Sequence, residues 1–173
     1  MGIINIPPKM KAVNRILIDE CEGMNHCICA LGRNIVVEVP RQDCAKVVGI
    51  LKGSFEDVVD IRKAYLMIDD LHDFILVKPM ITEAPLFDAE GVLIPRAEKL
   101  LVDLYADKEY SGVSTEQKAV RARELLKCGD FNPSKVMRYA SRKGKKEEMS
   151  EWLALLLEEG GHQAGTISGE NTA

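Results

Sequence analysis

HCICALGRNIVVEVPRQDCAKVVGILKG, His26 to Gly53, decides the fold. Its first two pieces, HCICAL and NIVVEVP, are apolar runs parted by Gly32 and Arg33, and the branched Ile35, Val36, Val37 and Val39 favour extended backbone. The spacing predicts a hairpin. In the third piece Cys44, Val47, Val48 and Leu51 recur at helical spacing before Gly53, which predicts a helix packed on the hairpin's sheet. Upstream, PKMKAVNRILIDECEG places Met10, Val13, Ile16 and Leu17 on one helical face between Pro8 and Gly23, a further helix.

Downstream, EDVVDI reads as a short strand, IRKAYLMIDDLHD as a helix or irregular connection, and DFILVKPMI as a strong strand ended by Pro79. TEAPLFDAEGVLIP reads as a loop. Beyond it Ala97, Leu100, Leu101, Leu104 and Tyr105 form one apolar stripe, and TEQKAVRARELLKCG, NPSKVMRYASRKG and KKEEMSEWLALLLEE follow as helices. The expected class is α/β, mixed α+β: a small, mostly antiparallel sheet with packed helices, then a C-terminal helical unit. We expect one compact domain over 1–158, with an α/β half over about 8–81 and a helical half over about 95–158. The polar tail 159–173 is expected to be disordered.

Composition narrows the function. A chain of 173 residues, 46% hydrophobic and 29% charged, suffices for one buried core. Its net charge of −4 does not suit a protein that coats nucleic acid by charge alone, so any such contact must be local. No apolar run approaches the roughly 20 residues that span a bilayer, and the apolar start is too short for a signal peptide. The cytoplasm is the expected compartment. Of the five cysteines, Cys27, Cys29 and Cys44 lie among Ile, Val and Leu and read as reduced structural thiols. HCIC lacks the second Cys/His cluster a zinc site needs, so no metal and no cofactor are expected.

Catalytic patterns are incomplete. In GSFEDVVDIRKAYLMIDD a Gly-Ser pair precedes carboxylates, as in nucleotidyltransferases, but Asp69 and Asp70 are adjacent, so on a strand they point apart. Glu38 could serve a restriction-endonuclease-like site, yet Pro40 stands where such sites place a lysine. An enzyme of either kind would draw on Glu38, Asp57, Asp60 and Lys78. No Gly-x-Ser-x-Gly elbow, phosphate loop or dinucleotide fingerprint occurs. His26, His72 and His162 have no spaced nucleophile and read as structural or solvated. The chain is expected not to be an enzyme.

One cationic segment remains: RYASRKGKK, Arg138–Lys146, without a carboxylate. If two helices meet at Gly144, Lys135, Arg138 and Arg142 lie along one face while Val136, Met137 and Ala140 turn inward. Lys143, Lys145 and Lys146 extend the strip to the N-terminus of the last helix, where backbone N–H groups attract anions. Phosphate or an acidic partner would suit Arg138, Arg142, Lys143, Lys145 and Lys146. The plainer reading is a solvated helix end whose lysines pair with Glu147 and Glu148.

Through NIVVEVPRQDCAKVVGILKG, FEDVVDI, VKPMITEAP, EKLLVDLYADK and RYASRKGKKEE, in that order, the chain resembles the C-terminal domain of AbiEi-like antitoxins and transcriptional regulators of bacterial type IV toxin–antitoxin systems, over roughly Asn34 to Leu155. The resemblance implies an α/β core with a helical end, and a non-catalytic regulatory module of an abortive-infection system. Its functional partner would be an AbiEii-like nucleotidyltransferase toxin, opposed without a stable complex. In that family a winged helix that binds operator DNA precedes this domain. The stretch before Asn34 is short for one, so DNA contact would fall to the basic strip. A second surface of this kind would be a partner loop comprising Lys78, Thr82, Glu83 and Pro85. The alternatives are a degenerate or active nuclease or nucleotidyltransferase-like enzyme, and a mobile-element interaction protein using the same domain.

Overall fold

The computed structural model describes residues 5–63 and 73–163. Asp69, Asp70, His72 and the tail from 164 onward lie outside the described residues, as does most of the connection read from IRKAYLMIDDLHD. Helix α1 (Pro8–Glu20) opens on proline at its first position and buries Met10, Val13 and Leu17. Strands β1 (Cys27–Leu31) and β2 (Asn34–Val39) form the expected hairpin. Its two-residue turn has Gly32 at φ 60°, a first central position where a side chain would be strained. A short 3-10 turn, Arg41–Asp43, leads into α2 (Cys44–Lys52), which buries Cys44, Val47 and Leu51.

Strands β3 (Val58–Asp60) and β4 (Ile75–Pro79) complete a four-stranded sheet of order β1-β2-β4-β3. The mixed α+β class is found. The pairing differs from the expected mostly antiparallel sheet: β2–β4 and β3–β4 are parallel, and only β1–β2 is antiparallel. The cause is the crossover through α2, which returns the chain to the sheet in the direction of β2. β2 is buried at every position, and its unbroken apolar run is that of a central strand covered on both faces.

A second sheet was not anticipated. β5 (Leu86–Ala89) and β6 (Val92–Pro95) pair antiparallel within the segment read as a loop. Both strands are very short, and their turn, Glu90–Gly91 with φ 54° and 82°, carries a glutamate where Asn or Asp is the usual signal.

α3 (Ala97–Ala106), a 3-10 turn (Lys108–Tyr110), α4 (Thr115–Leu126), α5 (Pro133–Arg142) and α6 (Lys146–Gln163) form the expected helical unit. α6 runs past the boundary set at 158, so the first residues assigned to a disordered tail are helical. The core of this unit contains Leu101, Val102, Leu104, Val136, Tyr139 and Met149.

The sheet's two faces differ in chemistry. Ile35, Val37, Val39, Ile75 and Val77 pack with α1 and α2 in the main apolar core. On the other face Val36 and Leu76 are apolar, but toward the ends of β2 and β4 the in-register Glu38 and Lys78 replace them. α3 approaches at this polar end.

Candidate functional site

The basic segment forms as anticipated around Gly144. Asn132 caps α5 by accepting the Ser134 N–H (2.9 Å), and Gly144 at φ 68° ends it, with Lys145 N–H donating to the Ala140 carbonyl (2.8 Å). Val136 and Ala140 are buried and Met137 half-buried, leaving Lys135, Arg138 and Arg142 exposed on the outer face. Lys135 and Arg138 have no ion-pair partner among the described residues.

The other members of the strip divide. Arg142 donates through Nε to Glu83 (2.8 Å) in the loop 82–85, which joins two sites inferred separately from the sequence. That guanidinium holds the Glu83 carboxyl below its ordinary pKa. Glu83 sits at φ 62°, a left-handed conformation uncommon for a side-chain-bearing residue. Thr82 is exposed and Pro85 half-buried in the same loop. Lys145 pairs with Glu148 (3.0 Å), as the solvated-end reading required, and Lys146 is exposed at the start of α6.

Two expected site residues are elsewhere. Lys143 turns inward: its ammonium donates to Asp103 (2.8 Å) and Asp107 and lies 5.4 Å from the Tyr139 ring centre. Lys78 belongs to β4, not to the loop; its buried ammonium bonds Asp107 (2.6 Å) and Glu109 and lies 3.6 Å from Glu38. Neither lysine is available to a partner. A lysine's flexible stem lets its charge be drawn into the interior when carboxylates wait there.

Both lysines end in a buried ionic network that the sequence reading missed. Lys99 of α3 donates to Glu38 (2.8 Å) and to Asp103 one turn away. Asp103 also accepts the Tyr139 hydroxyl (2.9 Å), and Glu38 accepts the Cys27 thiol (3.3 Å). Thus Glu38, Asp103, Asp107 and Glu109 face Lys78, Lys99 and Lys143. Burial opposes charge on Lys78 and Lys99, but the surrounding carboxylates overcome it and hold both pKa values above the ordinary lysine range. For Asp103 burial likewise works against ionisation, and Lys99, Lys143 and Lys78 prevail, so its pKa is depressed. Asp107 is raised by burial and by the neighbouring Asp103 charge. Burial pushes the Cys29 thiol up to about 12, and Cys27 higher still, so both are inert as nucleophiles at neutral pH.

The signal for this network was present. Lys99 and Asp103 stand at i and i+4 on α3, flanking the Leu100–Leu104 stripe, and they form the helix's contact with the sheet. A cavity of about 10 Å³ beside Glu38, Lys78 and Lys99 has room for one water.

The alternative catalytic set does not converge. Glu38 and Lys78 share one face of the sheet, whereas Asp60, in register with Val77, is on the face of α1 and α2 and binds Arg62 (2.7 Å). Asp57 lies ahead of β3, its carbonyl accepting the Ile75 N–H (2.8 Å). His26 bonds the Asn14 side chain (2.7 Å). No group of His, Cys, Asp and Glu among the described residues could hold a metal ion, and no described helix is long and apolar enough to cross a membrane.

A family model, DUF6577, described as a family of unknown function, matches residues 23–159. The chain belongs to DUF6577. The match takes in β1 through nearly all of α6, so the ionic network and the basic row both lie inside the region that defines this DUF6577 member. No curated protein and no solved structure matches it.

Proposed function

We propose that this DUF6577 chain is a non-catalytic regulatory module of the AbiEi-like antitoxin kind, which meets an anionic partner on the outer face of α5. The supporting observation is the exposed row Lys135, Arg138 and Arg142, with Arg142 bound to Glu83 so that loop 82–85 and the helix form one surface. Lys146 adds a cation beyond the joint. Lys143, Lys145 and Lys78 are already paired. The partner system is an AbiEii-like nucleotidyltransferase toxin in a bacterial cytoplasm, a compartment that suits five free thiols. The non-catalytic character rests on engagement: Glu38, Asp103, Asp107 and Glu109 each hold a lysine ammonium.

Combined Lys135→Glu and Arg138→Glu reversal tests the reading, because both side chains are exposed and neither has an ion-pair partner among the described residues, so the fold should survive the change. If the row meets phosphate, weak duplex binding by the wild type falls with log salt at a slope of about −0.9 per neutralised phosphate, and the double variant loses it. If it meets an acidic protein, DNA binding is absent and rescue of toxin-inhibited growth is lost. A double variant that binds and rescues like the wild type defeats the proposal. Turnover of DNA or nucleoside triphosphate that disappears in Glu38→Ala would favour the nuclease-like alternative.

A further inference from the structure

The outer face of α5 carries cations and hydroxyls only. Ser134, Lys135, Arg138, Ser141 and Arg142 are exposed, and the helix contains no carboxylate. An α-helix rises about 1.5 Å per residue, so the cations from Lys135 to Arg142 spread over roughly 10 Å. One anion already sits on this row. The Glu83 carboxylate, brought by the loop 82–85 between β4 and β5, accepts from Arg142 Nε at 2.8 Å. Arg142 chiefly, and Arg138 through its field, hold the Glu83 carboxyl below its ordinary pKa, so the carboxylate feels both guanidinium groups.

This contact can exchange. The Arg142 side chain is 50% exposed and that of Glu83 45%, and an ion pair so open to water holds its partners weakly. Only Nε of the guanidinium is engaged; its two Nη nitrogens have no partner among the described residues. Most of the planar donor fork that arginine offers to a phosphate is therefore unused.

We propose that Glu83 occupies, in the free chain, the position of a nucleic-acid phosphate at Arg142, with Arg138 beside it, and that a bound strand displaces it. The inference rests on the α5 reading above and names that row's partner and its control. A lone carboxylate from a protein would improve nothing at Arg142, because Glu83 is tethered there at high effective concentration. A run of phosphates does improve on it. It meets Lys135 and Arg138 in the same event, releases counterions at each contact and presents acceptors to the unused Nη donors. Glu83 is thus an internal competitor: it lowers affinity for nucleic acid by withholding one cation of the row until a strand takes its place.

Titration of a short fluorescent DNA duplex with the full chain, over a range of salt, tests this. Glu83→Gln should bind about two- to fivefold more tightly at low salt, and its log–log salt slope should steepen by about 0.9, one more phosphate neutralised. Adding Arg142→Gln to that variant should return both quantities to the wild-type values. Glu90→Gln removes the same charge from a glutamate that is also left-handed (φ 54°) but pairs with Lys11 of α1, and it should bind as the wild type does. In carbon NMR the Glu83 carboxyl should titrate low in the free chain and higher once duplex saturates it. Wild-type binding that the Lys135→Glu, Arg138→Glu pair removes but Glu83→Gln leaves unchanged overturns this inference and spares the α5 reading. Equal tightening by Glu90→Gln, or a Glu83 titration indifferent to duplex, overturns it as well. So does a lack of duplex binding by both wild type and Glu83→Gln. An acidic protein is then the occupant if Glu83→Gln strengthens rescue of toxin-inhibited growth, and the α5 reading falls too if rescue ignores every variant.

Discussion

Asp103 and Asp107 are both buried carboxylates in lysine contacts, yet the protein treats them oppositely. Asp103 contacts Lys99, Lys143 and the Tyr139 hydroxyl and has a depressed pKa; Asp107 lies beside Asp103 and has a raised one. A depressed folded-state pKa contributes stability present above the unfolded value and lost as pH falls through the folded value; a raised one contributes stability that fades as pH rises through the folded value. Asp103→Asn at neutral pH should therefore cost about 3–5 kcal/mol, because it strands buried lysine charge. Asp107→Asn should cost clearly less, since it removes a charge the site already disfavours. It should also weaken the loss of stability as pH rises above the ordinary aspartate range. Urea denaturation of both variants across acid and neutral pH checks the order. Equal losses would mean that the two positions are electrostatically equivalent.

Among the elements, those whose pattern answers to one buried face were legible before the fold was seen. α1, α2 and α3 were found from apolar spacing, and the β1–β2 hairpin from branched residues around Gly32. What escaped depended on contacts distant in sequence. The parallel pairing of β4 with β2 and β3 is set by a crossover, and the β5–β6 hairpin by packing of four-residue strands whose turn lacks the usual Asn or Asp. The candidate site divided on the same line. Lys135, Arg138 and Arg142 follow from helical phase, whereas nothing local to RYASRKGKK tells that Lys143 turns in to Asp103 on another helix. The α3 stripe itself needs refinement: Leu101 is fully buried and Leu104 nearly so, but Leu100 is half-buried and borders a recess beside β1. Leu101→Ala should cost about 2–5 kcal/mol through lost burial and a residual cavity, and Leu100→Ala distinctly less. Thermal melts of the pair measure the difference. A Leu101→Ala melting temperature equal to wild type would show that α3 is rotated from the face described.

At the scale of the whole molecule, the ionic network is where the two halves meet. Glu38 and Lys78 come from the sheet, and Lys99, Asp103 and Lys143 from the helical unit. Removing one partner of such a pair leaves the other charged in the interior, whereas removing both leaves neither. Glu38→Gln and Lys99→Met should each be strongly destabilising, and the double variant should cost less than the sum of the two, a coupling that marks direct contact. The same linkage predicts one cooperative unfolding transition for the whole chain. Two probes can follow the halves separately: fluorescence of Trp152, the lone tryptophan, in α6, and the reactivity of the buried Cys27 and Cys44 thiols beside β2 and in α2. In the wild type both should report the same denaturant midpoint. In Lys99→Met they should separate if the network is what couples the halves, with Trp152 released before the thiols, because the sheet half keeps its own apolar core on α1 and α2. Coincident midpoints in that variant would assign the coupling to apolar packing between the halves instead.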